Sequence, residues 1–387
     1  FWLKPFLDVL PTRRVWSPQF FSWDSSLMGS WAIGAWEEVK ALKPEEFTAV
    51  APSSQNTSGG FRFARALTQG LLAQWPLATR RPAANEDLAR LPEATKASCS
   101  TSRPRWIRLL PRAVSDVFLR ELDEQHFREL GGEVYPFAPE ENLHIHLLKP
   151  KDASTSKPGC VVLLHGGSWI SGSTSQFYDH AQAVSRDLGV AVACCQYRLM
   201  LTHPRADVPF DAVDDAERCV SYLSDQADEL GLDRSRFVLG GLSAGGHLAA
   251  MTALERGPEL GLAGLVLLNP VLDLDFRAGW RRRTPAIWLG SHLLRAFYSE
   301  EELHQKSPLH QVRNLPFPTL ILHGEEDRLI PLAQSEAFMK EMQRSNNDCE
   351  VVPFPQVNHD FLRATPESAE RHICTLGNFL RSAGVVS

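Results

Sequence analysis

A serine set between glycines is the first place where this chain could do chemistry. Gly241-Leu242-Ser243-Ala244-Gly245 fits the pattern G-x-S-x-G. The apolar Phe237-Val238-Leu239 before it reads as a buried strand, and residues 246–254 after it read as a helix. A sharp strand-to-helix turn holds such a serine in a strained backbone conformation, and small neighbours leave room where side chains would clash. A serine hydroxyl is a weak nucleophile without a base. The motif by itself therefore fits a nucleophile or a small residue in a tight turn.

The partners a nucleophile needs lie elsewhere. "VNHDF" (357–361) follows an apolar run, which puts His359 in a loop at a strand's carboxyl end as a candidate base. "LHGEEDRLIP" (322–331) follows another run and offers Glu325, Glu326 and Asp327 to orient the imidazole. Serine, then acid, then histidine is the chain order of α/β-hydrolases. Acyl transfer also builds negative charge on a carbonyl oxygen, which backbone N–H groups must stabilise. "HGGSW" (165–169) closes a buried strand upstream, so Gly166 and Gly167 are the expected donors, with the Ala244 N–H completing the hole. His165 is expected to shape that loop, not to move a proton.

These residues need a scaffold that gathers strand ends. After about residue 113, short apolar runs alternate with helical patterns. Strands are expected at 143–150, 159–167, 190–199, 237–241, 262–271, 317–324 and 349–355. Helices are expected at 114–129, 175–189, 210–231, after Ser243, and at 335–346 and 367–380. Continuous apolar strands alternating with helices predict a mostly parallel sheet covered on both faces. In such sheets reactive groups collect at the carboxyl ends of the strands.

Residues 1–112 differ in character. Seven of the ten tryptophans fall there, with a helix expected over 61–75 and a Pro-, Arg-, Ala- and Ser-rich stretch over 76–112. The expected division is an N-terminal extension, 1–112, and a catalytic domain, 113–387. The segment 274–306 interrupts the strand–helix rhythm. It reads equally as a lid with Trp280, Trp288, Leu293, Leu294 and Phe297 lining an acyl pocket, or as a core helix.

Composition limits the partners. The 387 residues carry a formal charge of −6, which argues against nucleic acid. No stretch approaches the roughly 20 apolar residues of a membrane helix. The seven cysteines match no zinc or redox spacing. They read as buried thiols in a reducing, cytoplasmic setting. The chain opens on Phe1, so targeting is left unread, and Asn56-Thr57-Ser58 is a short glycosylation match of little weight. His144 and His146 alternate on one strand, but no third ligand has metal-site spacing, so a solvent-facing pair is expected. Asp211, Asp214 and Asp215 are expected to complement a helix dipole.

"HGGSW", "YRL" (197–199), "GLSAGG", "HGEEDRLIP" and "NHDF" together resemble the α/β-hydrolases of the hormone-sensitive-lipase-like and acetyl-esterase group, over about 130–384. The resemblance implies an α/β-hydrolase fold and a serine carboxylesterase acting on small short-chain esters, with no metal and no organic cofactor. It selects Asp327 over the two glutamates. Ser168 stands where that group usually has a third glycine, and Leu242 where it has Asp. "HGGSW" thus sits closer to a branch that includes arylformamidase-like enzymes and prenylcysteine methylesterases. Trp169 and Leu242 are the expected substrate-contacting residues. Outside this chemistry, the fold also serves as a non-catalytic binding module. The oligomeric state is not legible.

Overall fold

The computed structural model describes residues 120–387, apart from 152–156, 201, 204–205, 275–293, 296–297, 364 and 387. The expected 61–75 helix, the tryptophan-rich extension, the Asn56 site, Cys99 and most of the 274–306 segment lie outside the described residues.

Eight strands form one sheet: β1 (Glu133–Ala138), β2 (Leu143–Leu148), β3 (Cys160–Leu164), β4 (Ala191–Cys195), β5 (Phe237–Leu242), β6 (Leu262–Leu268), β7 (Thr319–Gly324) and β8 (Cys349–Phe354). Their order is β1-β2-β4-β3-β5-β6-β7-β8. β2 is antiparallel to β1 and β4, and every other pairing is parallel. The described helices are α1 (Arg120–Glu129), α2 (Tyr178–Leu188), α3 (Phe210–Asp225), α4 (Ala227–Leu230), α5 (Ala244–Arg256), α6 (Glu300–Gln305), α7 (Leu332–Arg344) and α8 (Pro366–Ser382).

The all-apolar strands have a direct cause. In β3, Cys160, Val162 and Leu164 join one core cluster while Val161 and Leu163 join a second on the opposite face. Alternate side chains point to opposite faces, so a strand buried on both must be apolar throughout. The register sets Leu164 level with Cys195 and Gly241, Leu268 level with Leu322, and Gly324 level with Phe354. The loops leaving β3, β5, β6, β7 and β8 therefore open on one edge of the sheet.

Several expectations need correction. β1 was not anticipated, because Pro136 breaks its pattern. It is an edge strand, where a missing N–H costs no ladder bond, and Pro353 sits in the other edge strand, β8. The 210–231 helix breaks at Gln226, and β4 stops at Cys195 instead of running to 199. Tyr197 and Arg198 leave the strand to bond elsewhere: the Tyr197 hydroxyl donates to the His165 carbonyl, and Arg198 reaches Asp215.

Asp215 is not a dipole-facing surface carboxylate. It is fully buried and accepts from the Arg198 N–H at 2.9 Å and from Arg198 Nε at 2.8 Å. Asp211 does lie in the first turn of α3, and Asp214 is exposed. His146 is not solvent-facing either. β2 is an interior strand, and the ring is buried with Nδ1 2.6 Å from the Tyr178 hydroxyl. His144 pairs with Glu124 at 3.1 Å.

Cys195 and Cys219 depart from the expectation of free thiols. β4 and α3 bring their Cα atoms to 6.8 Å and they form a disulfide, so they no longer support a reducing setting. Cys160, Cys194 and Cys349 are buried thiols, and Cys374 is an exposed one. Among the described residues no helix is long and apolar enough to cross a membrane, and no cluster of three or more His, Cys, Asp or Glu is arranged to hold a metal.

Candidate active site

Ser243 is the single residue between β5 and α5. Its φ of +55° and ψ of −116° lie where an L-residue is strained. Sequence makes that turn possible on both sides. A Cβ on Gly241 would stand 2.3 Å from the Gly245 carbonyl oxygen, and one on Gly245 would stand 2.0 Å from the Leu164 carbonyl oxygen. The turn is tied down by Ser243 N–H donating to Leu268 at 2.9 Å and by Val271 N–H donating to the Ser243 carbonyl at 3.2 Å.

The loops after β7 and β8 bring Asp327 and His359 to this turn. His359 Nε2 lies 2.9 Å from Ser243 Oγ, and His359 Nδ1 lies 2.7 Å from Asp327 Oδ2. The other carboxylate oxygen, Oδ1, accepts from the Leu329 and Ile330 N–H groups at 2.8 and 2.9 Å. Asp327 is thus held as an acceptor on both sides, whereas Glu325 and Glu326 are exposed. Burial works against the charged form of His359. The Asp327 charge and hydrogen bond outweigh that burial and raise the imidazole pKa above its ordinary value. His323, one strand position before Gly324, is the opposite case. It is buried, its Nε2 donates to the Ile330 carbonyl at 2.8 Å, and burial pushes its pKa down.

The loop after β3 is fixed in an unusual shape. Gly167, Ser168 and Trp169 have φ of +134°, +53° and +58° in succession. At Gly167 a Cβ would stand 1.9 Å from the Ser171 carbonyl oxygen, so only glycine fits. His165 is buried, stacks on Tyr197 with ring centres 4.3 Å apart, and places Nδ1 2.9 Å from the Gly166 carbonyl oxygen. The expected donor Gly166 is engaged differently: its N–H donates to Gln176 Oε1 at 3.1 Å. Ala244 opens α5, so its N–H has no acceptor within the helix.

Two residues absent from the sequence reading hold this arrangement. Asn269, at the end of β6, donates from Nδ2 to the carbonyls of Asn358 and His359, each at 3.1 Å, and accepts from Gly324 N–H at 2.8 Å. It ties the acid-bearing and base-bearing loops to the central strands. The available signal was a polar residue closing the apolar run "LVLLN", with φ of +41° as its structural counterpart. Gln176 is the second, and nothing in "TSQF" marked it.

Trp169 is buried and meets the His247 ring edge-on, with centres 5.2 Å apart. Leu242 is 7% exposed and packs in the core cluster that contains Phe177, Val357 and Phe361. Of the expected lid residues, Leu294 is half-buried against the other cluster, and Trp280, Trp288, Leu293 and Phe297 lie outside the described residues.

Comparison with known proteins bears on the family and the fold. A model of the BD-FAE family matches residues 145–342, just over half of the chain. A probable isoprenylcysteine alpha-carbonyl methylesterase of Arabidopsis thaliana is 29% identical over 245 residues, 58% of this chain and 50% of that protein. The chain thus spans only half the length of that relative. An ethyl acetate hydrolase of Pseudomonas putida is 30% identical over 57% of this chain and 72% of its own. A propionate-bound thermophilic esterase from Thermogutta terrifontis superposes with a TM-score of 0.56 at 30% identity, covering 66% of this chain and 96% of that one. The strand order, the serine turn and these matches lead to one conclusion: the chain belongs to the BD-FAE family, and its described part has the α/β-hydrolase fold.

Proposed function

We propose that this protein is a serine carboxylesterase of small esters with short, acetyl-type acyl groups. The observation that carries the reading is the unbroken hydrogen-bond chain from Ser243 Oγ through His359 to Asp327. Ser243 Oγ attacks the ester carbonyl as His359 Nε2 takes its proton. Asp327 keeps Nδ1 protonated and faces the imidazolium that forms. The Gly167 and Ala244 N–H groups receive the oxyanion, and Gly166 acts as the loop's anchor, not as a donor. His359 then protonates the leaving alkoxide, which departs as the alcohol and leaves the acyl group on Ser243. Water, activated by the same imidazole, releases the carboxylic acid and restores the serine.

The short acyl preference is supported by the ethyl acetate hydrolase and by the propionate-bound esterase. A methyl ester of a prenylated cysteine, with a small alcohol leaving from a bulky acyl part, is the second reading, supported by the Arabidopsis relative. The catalytic unit is proposed to be residues 113–387. The test is a p-nitrophenyl ester panel of increasing acyl length, with a prenylcysteine methyl ester alongside. The expected result is the highest kcat/KM at two to four acyl carbons and its loss in Ser243→Ala. Full activity in Ser243→Ala would refute the nucleophile, and preference for the prenylcysteine ester would favour the second reading.

A further inference from the structure

The geometry points to Gln176 as a positioning residue that sets the direction of the Gly167 N–H, an inference that rests on the esterase reading and deepens it. Gln176 lies in the short turn Thr174–Phe177 that leads into α2. Its side-chain amide meets the backbone of Gly166 at two points. Oε1 accepts from the Gly166 N–H, and Nε2 donates to the Gly166 carbonyl, both at 3.1 Å. A primary amide carries an acceptor and a donor side by side. It can therefore pair with one residue's N–H and C=O as a neighbouring strand would.

The consequence follows from peptide geometry. The Gly166 carbonyl and the Gly167 N–H belong to the same planar trans peptide, so they point in opposite directions. Fixing the carbonyl fixes the N–H. His165 Nδ1, 2.9 Å away, bears on the same carbonyl oxygen, and the stacked Tyr197 ring holds His165 in place. Gly172 leaves room for the pairing. A Cβ there would stand 2.2 Å from the Gly166 oxygen and 3.1 Å from Gln176 Nε2. The restraint matters because Gly167, at φ of +134°, is followed by two further residues with positive φ. A glycine peptide of this kind turns easily when its partners are removed. A turned peptide would direct a carbonyl oxygen, not an N–H, at the developing oxyanion.

Two variants separate this role from simple packing. Gln176→Glu keeps the size and an acceptor for the Gly166 N–H but sets a carboxylate oxygen against the Gly166 carbonyl. Gln176→Leu removes both contacts at similar volume. Because a lost oxyanion donor costs 100- to 1000-fold in kcat, a misaimed one is expected to cost about 10- to 100-fold. The expected result on p-nitrophenyl acetate is that fall in kcat with KM changed less than about threefold. The rate of Ser243 labelling by a fluorophosphonate, whose P=O oxygen uses the same hole, should fall in parallel. The pH midpoint of kcat/KM, set by His359, should stay in place, and the melting temperature should shift by no more than a few degrees. Either folded variant with wild-type kcat would overturn the inference, as would a loss confined to KM or accompanied by a moved pH midpoint. Should Gln176→Leu fail to fold, Gln176→Glu decides by the same readings. Wild-type protein that neither hydrolyses the ester nor labels at Ser243 would overturn the esterase reading as well, whereas an active wild type with indifferent variants removes Gln176 alone.

Discussion

Asp327 does two things to His359, and they separate experimentally. It fixes which ring nitrogen carries the proton, and its charge raises the pKa against the effect of burial. In the proposed mechanism His359 must be neutral to accept the serine proton, so kcat/KM should rise with pH through a midpoint above the ordinary histidine value of about 6.5. Asp327→Asn keeps the shape and removes the charge. The midpoint should then move to lower pH while kcat falls by about 10⁴, since the imidazole loses its orientation. A pH–rate profile of both proteins checks the pair, and an unmoved midpoint in a folded variant would remove Asp327 as the partner. At this scale the reading from residue types went far but not all the way. Ser243, Asp327 and His359 stood out because each closes an apolar run in the required order. Gly166 and Gly167 are not separable by sequence, because two adjacent glycines look alike, whereas in the structure a side chain ten residues away takes the N–H of Gly166. Asn269 and Gln176 act through backbone contacts that no spacing reveals.

Elements were legible in proportion to how much burial dictated their composition. β3, β5, β6 and β7 lie inside the sheet, and their runs of Val, Leu and Ile state it directly. β1 escaped because an edge strand tolerates Pro136 and mixes exposed with buried positions. The end of β4 was overextended because "QYRL" stays apolar enough to continue a strand, whereas Arg198 turns out of it to pair with Asp215 on α3. That pair fastens the loop after β4 to the helix covering β1, with Asp215 fully buried and Arg198 16% exposed. Orphaning one partner of a buried ion pair costs about 3–5 kcal/mol, an upper bound here because Arg198 also pairs with Asp211 at 3.3 Å. Asp215→Ala should therefore lower the unfolding free energy in a urea titration by about 2–4 kcal/mol. A loss below about 1 kcal/mol would mean the pair behaves as a surface one.

At the scale of the molecule, the sheet has apolar clusters on both faces and its reactive loops on one edge. Among the described residues the two clusters already cover both faces of a complete eight-stranded sheet. A protein comprising 113–387 should accordingly melt cooperatively and keep kcat/KM on p-nitrophenyl acetate within about threefold of the full chain. Aggregation or a loss beyond about tenfold would assign residues 1–112 a part in the fold or the site. Substrate choice was the least legible property. It depends on the shape of an acyl pocket, and the segment 274–306, which reads equally as its lid or as a core helix, carries no motif of its own.

The central claim is that Ser243 is an activated nucleophile, and covalent labelling tests it most directly. Full-length folded protein treated with a fluorophosphonate should gain one adduct, which peptide mass spectrometry should locate on Ser243. Labelling should be absent in Ser243→Ala and slowed by about 10³-fold or more in His359→Ala, because an unassisted serine hydroxyl is a weak nucleophile. An unlabelled Ser243 in active, folded protein, or an adduct that persists unchanged in Ser243→Ala, would contradict the account.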